Sequence, residues 1–419
     1  MQERALILIE GASNGPLYIQ AARDLGLHPI TLSADPAQYS YLSTEGAEAI
    51  RVDTTNIEIL IGECSRLRKI YNIAGITSAQ EAVYATVGKL CRYFDLPGPD
   101  PISVERCCDK FTQRQLLAGA GVPVPDYRVA VNAGDVQSAA AAIGLPVIIK
   151  PAVGIGSSGV RLCRNAEEIA EHTAHLLGGA HIWRSARRVL VEELAEGRHY
   201  IAQIMGNEVI GIEAAEFHRA PHFVFREVTF PAQLTNDEHE QIVEIALSCL
   251  QALGLGWGPT NIEFRLTKRG PIVIEVNPRL AGTPDPQLIE LAYGVDLVTE
   301  HVKLVIGGES NLRKRRSHVA AARFLNPTRD GILDGVNGCN WAVAIPGVIE
   351  VKLYVAPKCA IVRKHDGGDL IGHVIAASLS HAETRAILQR AVNAISWSIT
   401  PFPVNDERTN VPAATHQRR

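Results

Sequence analysis

Along the chain, apolar positions alternate between strand-like runs and helix-like spacings. Ala5-Leu6-Ile7-Leu8-Ile9 is a continuous apolar run, the pattern of a buried strand. A helical stretch follows to Leu25 and stops at Gly26, and residues 28–33 form a second run closing at Asp35. Strand, helix, strand at this spacing predicts a βαβ start and a parallel sheet. A strand at 72–76 and a helix at 79–93 extend it, until Pro97-Gly98-Pro99-Asp100-Pro101 punctuates the chain. One helix is expected from Ser103, its N-cap, to Ala120, with Gly121 beyond its end. Short runs at 147–149, 160–163 and 189–194 read as strands. Residues 201–214 read as an antiparallel pair turning at Gly206-Asn207, and 236–253 as a strongly periodic helix. A loop over 280–286, a helix over 287–294, alternating short strands and turns over 319–369 and a last helix over 381–396 complete the pattern.

The most informative stretch is 260–279, TNIEFRLTKRGPIVIEVNPR, which reads as a hairpin turning at Thr267-Lys268-Arg269-Gly270-Pro271. Centring the turn on Arg269 sets Glu263 opposite Glu275. One face then carries Ile262, Phe264, Leu266, Ile272, Ile274 and Val276; the other carries Asn261, Glu263, Arg265, Val273, Glu275 and Asn277. A slip by one residue would bury the charges, so this register is favoured. Opposed carboxylates about 5 Å apart at Cβ repel each other. A cation between them removes the conflict, and oxygen-only ligands suit Mg²⁺, which shares substrate phosphates and keeps waters. The plainer reading is a surface hairpin with solvated charges.

Composition narrows the picture. The 419 residues exceed one ordinary core, so two to four domains are expected. With 46% hydrophobic and 21% charged residues the chain has the make-up of a soluble globular protein, and no apolar run reaches membrane-spanning length. A formal charge of −4 gives no support for nucleic-acid or membrane binding through a global field. The 8 cysteines are scattered without a CxxC, which fits reduced thiols and a cytoplasmic location. The expected divisions are 1–98 (parallel sheet), 99–195 (central, with a glycine-rich lid), 196–312 (the metal hairpin), 313–402 (strand-rich) and a disordered polar tail at 403–419. The fold class is mixed α/β and α+β.

Several other stretches carry chemistry. Gly11 to Gly15 followed by Asp35 suggests a dinucleotide site, but the third glycine is missing. His218 and His222 have a helical ligand spacing in a segment whose residues favour extended structure, which speaks against zinc. Lys150 ends an apolar strand, where a lysine either reaches water or meets an anion. Directly after it, Gly154, Gly156, Ser157, Ser158 and Gly159 form a loop whose backbone N–H groups can cradle phosphates. The strand over Glu192-Glu193-Leu194-Ala195 turns acidic before a turn at Glu196-Gly197-Arg198-His199, the kind of segment that offers backbone groups to an adenine edge. Lys110 alone would be a solvated helix charge.

Taken in order, Lys110, Lys150, the 154–159 loop, Glu192-Glu193, Glu263 and Glu275-Val276-Asn277-Pro278-Arg279-Leu280-Ala281-Gly282 resemble the ATP-grasp superfamily over about residues 5–399. Its most specific part is the run at 275–282. The resemblance is strongest to carboxylate–amine ligases of the L-amino-acid ligase type, which share Pro346-Gly347-Val348 and Gly372-His373-Val374-Ile375. It implies an ATP-grasp fold and a cytoplasmic enzyme that takes small-molecule carboxylate and amine substrates and is compatible with a homodimer. By the same resemblance, Lys110 and Lys150 contact the nucleotide phosphates under the 154–159 loop, and Glu192, Glu193, Leu194 and Ala195 line the adenine. His199 stands where many members have a ribose-binding glutamate. Glu263, Glu275 and Asn277 hold two Mg²⁺ ions, with Mn²⁺ an alternative, and Arg279 stabilises charge on the transferring phosphoryl group. The 216–230 segment with His222 and Arg226, and the loop carrying Gly282, are expected at the substrate. Competing readings are a carboxylase-type or purine-pathway enzyme acting on bicarbonate or a small acid, and a nucleotide-binding module without turnover.

Overall fold

The computed structural model describes residues 2–154, 156–178 and 188–403; the tail expected over 403–419 lies, but for its first residue, outside them. The N-terminal sheet is parallel throughout, in the order Glu48–Arg51, His28–Ser33, Arg4–Ile9, Asn72–Thr77. The apolar run of its central strand is explained by two cores. Ala5, Ile7 and Ile9 pack with Ile30, Leu60 and Val87 on one side. Leu6 and Leu8 face the other way, into a core that holds Val298 and Val302 of a later helix and Phe230 of the central sheet. The N-terminal unit is therefore joined to the rest through apolar packing.

A four-stranded antiparallel sheet follows, ordered Tyr127–Ala130, Val189–Glu193, Val147–Pro151, Arg161–Cys163. Its apolar side packs on Val136 and Ile169 of two helices. The largest sheet has eight antiparallel strands: Gly270–Asn277, Pro259–Thr267, Arg198–Met205, Glu208–Phe217, Phe225–Phe230, Val319–Leu325, Gly372–Ser378 and Val348–Leu353. It runs without a break across the 312/313 division, because Phe225–Phe230 pairs with Val319–Leu325. Helix Asn236–Leu253 opens on a capping box, with Thr235 and Glu238 satisfying each other's backbone N–H, and covers the back of this sheet through Ile242, Ala246 and Leu253. Among the described residues no helix is long and apolar enough to cross a membrane.

Two expectations are corrected. The single helix over 103–120 is two, Pro101–Cys108 and Lys110–Gly119. Asp109 interrupts it: its carboxylate accepts from the Thr112 N–H at 2.8 Å, the job of an N-cap, so Lys110 falls at the first position of the new helix. The hairpin is also not symmetric about Arg269. Asn261 and Glu263 do oppose Asn277 and Glu275, but Phe264 pairs with Val273, Arg265 with Ile272 and Thr267 with Gly270. Ile274 is the extra residue of a β-bulge. Val273, expected on the polar face, is therefore fully buried in the core with Phe264. Ile272 shares a face with Arg265, and Ile274 lines the cleft described next.

Candidate active site

The hairpin and the four-stranded sheet face each other across a cleft, and most of the polar residues singled out above line it: Lys110, Lys150, Glu192, His199, Glu263, Glu275, Asn277 and Arg279. Lys110 enters from the first turn of its helix. Its Nζ donates to the Gly154 carbonyl at 2.7 Å and lies 2.6 Å from Glu275 Oε1, tying the glycine-rich loop to the hairpin. Burial opposes the charge of Lys110, but the Glu275 carboxylate outweighs it, and the pKa sits above the ordinary lysine value. Lys150 is the penultimate residue of the buried strand Val147–Pro151, with its Nζ 2.5 Å from Glu192 Oε2. There burial wins, despite Glu192, and the Lys150 pKa is lowered.

Glu263 and Glu275 are direct cross-strand partners, with side chains 23% and 20% exposed toward the cleft. The Asn277 amide nitrogen donates to Asn261 Oδ1 at 3.2 Å, which leaves the Asn277 carbonyl oxygen as the end available to a cation. Among the described residues no group of three or more His, Cys, Asp and Glu is placed to hold a metal. What is present, two opposed carboxylates and an amide oxygen, fits an ion that takes its remaining ligands from phosphate oxygens and water, as Mg²⁺ does. Arg279 anchors its Nε on Glu81 Oε2 at 3.2 Å and its Nη1 on the Leu280 carbonyl, at the edge of the same cleft. His199 is buried against the edge of Phe217, and its Nε2 lies 3.3 Å from Glu263 without hydrogen-bond geometry. Burial lowers its pKa, so the ring is neutral.

Other expected residues are placed differently. Glu192 is buried, and its carboxylate is consumed by Lys150 and by Arg114, whose Nε donates to Oε1 at 2.7 Å; its side chain is not offered to a purine. Burial would raise Glu192, but Arg114 and then Lys150 hold its pKa below the ordinary glutamate range. Glu193 pairs at 2.5 Å with Arg269, while Leu194 and Ala195 line the wall. Gly156, Ser157 and Ser158 line the cleft, with Ser157 at φ +60°. Gly159 lies outside the lining, its carbonyl 2.9 Å from His172 Nε2. His222 stacks on His365 with ring centroids 4.2 Å apart, and Arg226 pairs with Glu216 on the surface. Neither reaches the cleft, and Gly282 packs by Ser13 Oγ. From the 216–230 segment it is Phe217, Phe223 and Phe225 that form part of the wall. Sequence reading also missed Arg114 and Gln113. Gln113 clips the bulged strand, donating to the Val276 carbonyl and accepting from its N–H, each at 2.9 Å. The available signal was their position one helical turn beyond Lys110.

Residues 109–313 match the family described as carbamoyl-phosphate synthase L chain, ATP binding domain, and residues 323–400 match the L-amino acid ligase C-terminal domain 2. The chain belongs to the ATP-grasp superfamily and, within it, to the ATP-dependent carboxylate–amine ligases. It is 59% identical, over 98% of its own length and 86% of the other, to the uncharacterized protein y4rH of Sinorhizobium fredii. It is 27% identical over 73% of its length to mouse carnosine synthase 1, of which it spans 40%. The crystal structure of L-amino acid ligase from Bacillus licheniformis superposes with a TM-score of 0.81 at 17% identity, covering 96% of this chain and 100% of that one.

Proposed function

We propose that the protein uses ATP to activate a carboxylate as an acyl phosphate and joins it to the amine of an amino acid or peptide-like acceptor, releasing ADP and phosphate. The observation that carries this reading is the convergence of the Glu263–Glu275 pair, Lys110, Lys150 and Arg279 on one cleft. A carboxylate is a poor acyl donor because its charge is delocalised over two oxygens; phosphorylation converts one of them into a leaving group. The protein's part is to position the reactants and neutralise charge. Lys110 and Lys150 hold the phosphates, with the N–H groups around Gly156, Ser157 and Ser158 above them. Leu194, Ala195, Ile148 and Ile274 give a purine its apolar walls, and His199 stands ready for a ribose hydroxyl. Glu263, Glu275 and the Asn277 carbonyl oxygen hold Mg²⁺, which when bound neutralises phosphate charge. Arg279 presents its guanidinium to the oxygens on which charge develops. Phe217 and Phe223, with the Arg265 guanidinium 5.2 and 5.7 Å from their ring centroids, form the substrate-facing wall in place of His222 and Arg226.

The test is a phosphate-release screen over pairs of amino acids and small carboxylic acids, with mass detection of products. A productive pair should give ADP, phosphate and a product one water lighter than the two substrates. AMP with pyrophosphate contradicts the mechanism, and turnover that requires bicarbonate contradicts the amine-ligase reading.

A further inference from the structure

A second cavity, of about 520 Å³, has the size of a small-molecule site. It starts on the back of the eight-stranded sheet. Strand register sets Tyr200, Ala214 and Thr229 side by side across three strands, on the face packed by helix Asn236–Leu253. From this row the cavity runs past the end of strand Glu208–Phe217 to Phe217, Phe223 and Arg265, which also line the cleft described above. Two rings and one guanidinium thus stand between the two spaces. Lys110, Lys150, Glu275 and Arg279 line only the front one, and the proposed reaction uses nothing in the rear one.

The charges around the rear cavity are unevenly matched. Arg198 pairs with Glu238 at 2.9 Å, and Glu216 pairs with Arg226. Arg265 and Arg385 form no ion pair among the described residues. Arg265 lies 5.2 and 5.7 Å from the ring centroids of Phe217 and Phe223 and donates to the Gly197 carbonyl at 3.0 Å; Glu263 acts on it only at longer range. Arg385 belongs to the last helix, His381–Ala394, and makes no hydrogen bond among the described residues. Two guanidinium groups without anions therefore line one cavity, each with paired N–H donors that match a carboxylate. The aromatic surface beside them suits methylene groups better than a compact, hydrated phosphate. We propose that this cavity binds a small dicarboxylate, with one carboxylate on Arg265, the other on Arg385, and the carbon chain against Tyr200, Phe217 and Phe223. The ligand sits beside the nucleotide and does not replace it, because the phosphate-facing lysines belong to the other space.

Equilibrium dialysis of radiolabelled succinate tests the site on the full chain, with MgADP saturating the nucleotide cleft. Succinate should bind in its presence, and unlabelled glutarate should displace it more effectively than acetate or inorganic phosphate does. Arg385 is exposed, so Arg385→Gln leaves the fold intact. It should weaken succinate binding at least about tenfold, the scale of a lost charge-assisted hydrogen bond. Arg279→Gln, which alters only the front cleft, should keep succinate binding within about twofold, as expected of sites that share no partner. Failure of wild type to bind succinate overturns the site, and so does equal binding by Arg385→Gln. Loss of binding in Arg279→Gln also overturns it and places the anion among the catalytic groups instead. Displacement by phosphate more readily than by glutarate overturns the dicarboxylate class. None of these readouts needs turnover, so a failure of the ligase reading leaves them standing.

Discussion

Lys110 and Lys150 share a cleft but not an electrostatic setting. Lys110 bridges a loop carbonyl and a partly exposed carboxylate. Lys150 belongs to a buried Arg114–Glu192–Lys150 triad, in which one anion serves two cations. Removing that anion leaves both cations without compensation, so Glu192→Gln should destabilise the fold by about 3–5 kcal/mol, read as a lowered denaturant midpoint. An unchanged midpoint would mean that the triad is not formed. Glu275→Gln differs, because its site is partly open and Lys110 retains the Gly154 carbonyl. Turnover should fall by at least about 10²-fold with the unfolding midpoint nearly unchanged; retained turnover would remove Glu275 from the metal site.

At the scale of elements, the hairpin divides its labour between neighbours. Val273 belongs to the core, and Val273→Ala should reduce stability by on the order of 2 kcal/mol. Ile274, bulged into the cleft, should lose far less on truncation and instead raise the KM for ATP. The reverse pattern, in paired denaturation and kinetic measurements, would restore the unbulged register. The opposed glutamates were legible because a tight turn and alternation suffice to pair them. The bulge was not, since Val-Ile reads alike in either register and the choice is made by Gln113 gripping the Val276 backbone from another helix. The split of the helix is hidden for a local reason: Asp109 falls inside a helical pattern, although an aspartate caps better than it propagates.

At the scale of the whole molecule, the N-terminal sheet is fixed to the catalytic part by a buried histidine. His301 Nδ1 lies 2.5 Å from Tyr18 Oη and its Nε2 3.2 Å from Tyr84 Oη, one ring nitrogen accepting and the other donating, and burial depresses its pKa to about 3. The unfolded chain therefore binds a proton that the folded chain refuses between about pH 6.5 and that value. Stability should fall with acidification across that window, by up to about 1.4 kcal/mol per pH unit from this group, and His301→Gln should flatten the slope. An unaltered slope would show that His301 is not buried neutral. On the far side, the glycine-rich loop meets the C-terminal unit, where the Gly367 N–H donates to the Gly156 carbonyl at 3.0 Å beside the His222–His365 stack. The C-terminal unit thus helps position the glycine-rich loop over the cleft, where the proposed acyl phosphate would need shielding from water. That species can be sought by its atoms. With a carboxylate substrate labelled with ¹⁸O in both oxygens, turnover through an acyl phosphate places one labelled oxygen in the released phosphate. Phosphate free of label, or label recovered in AMP, contradicts the account.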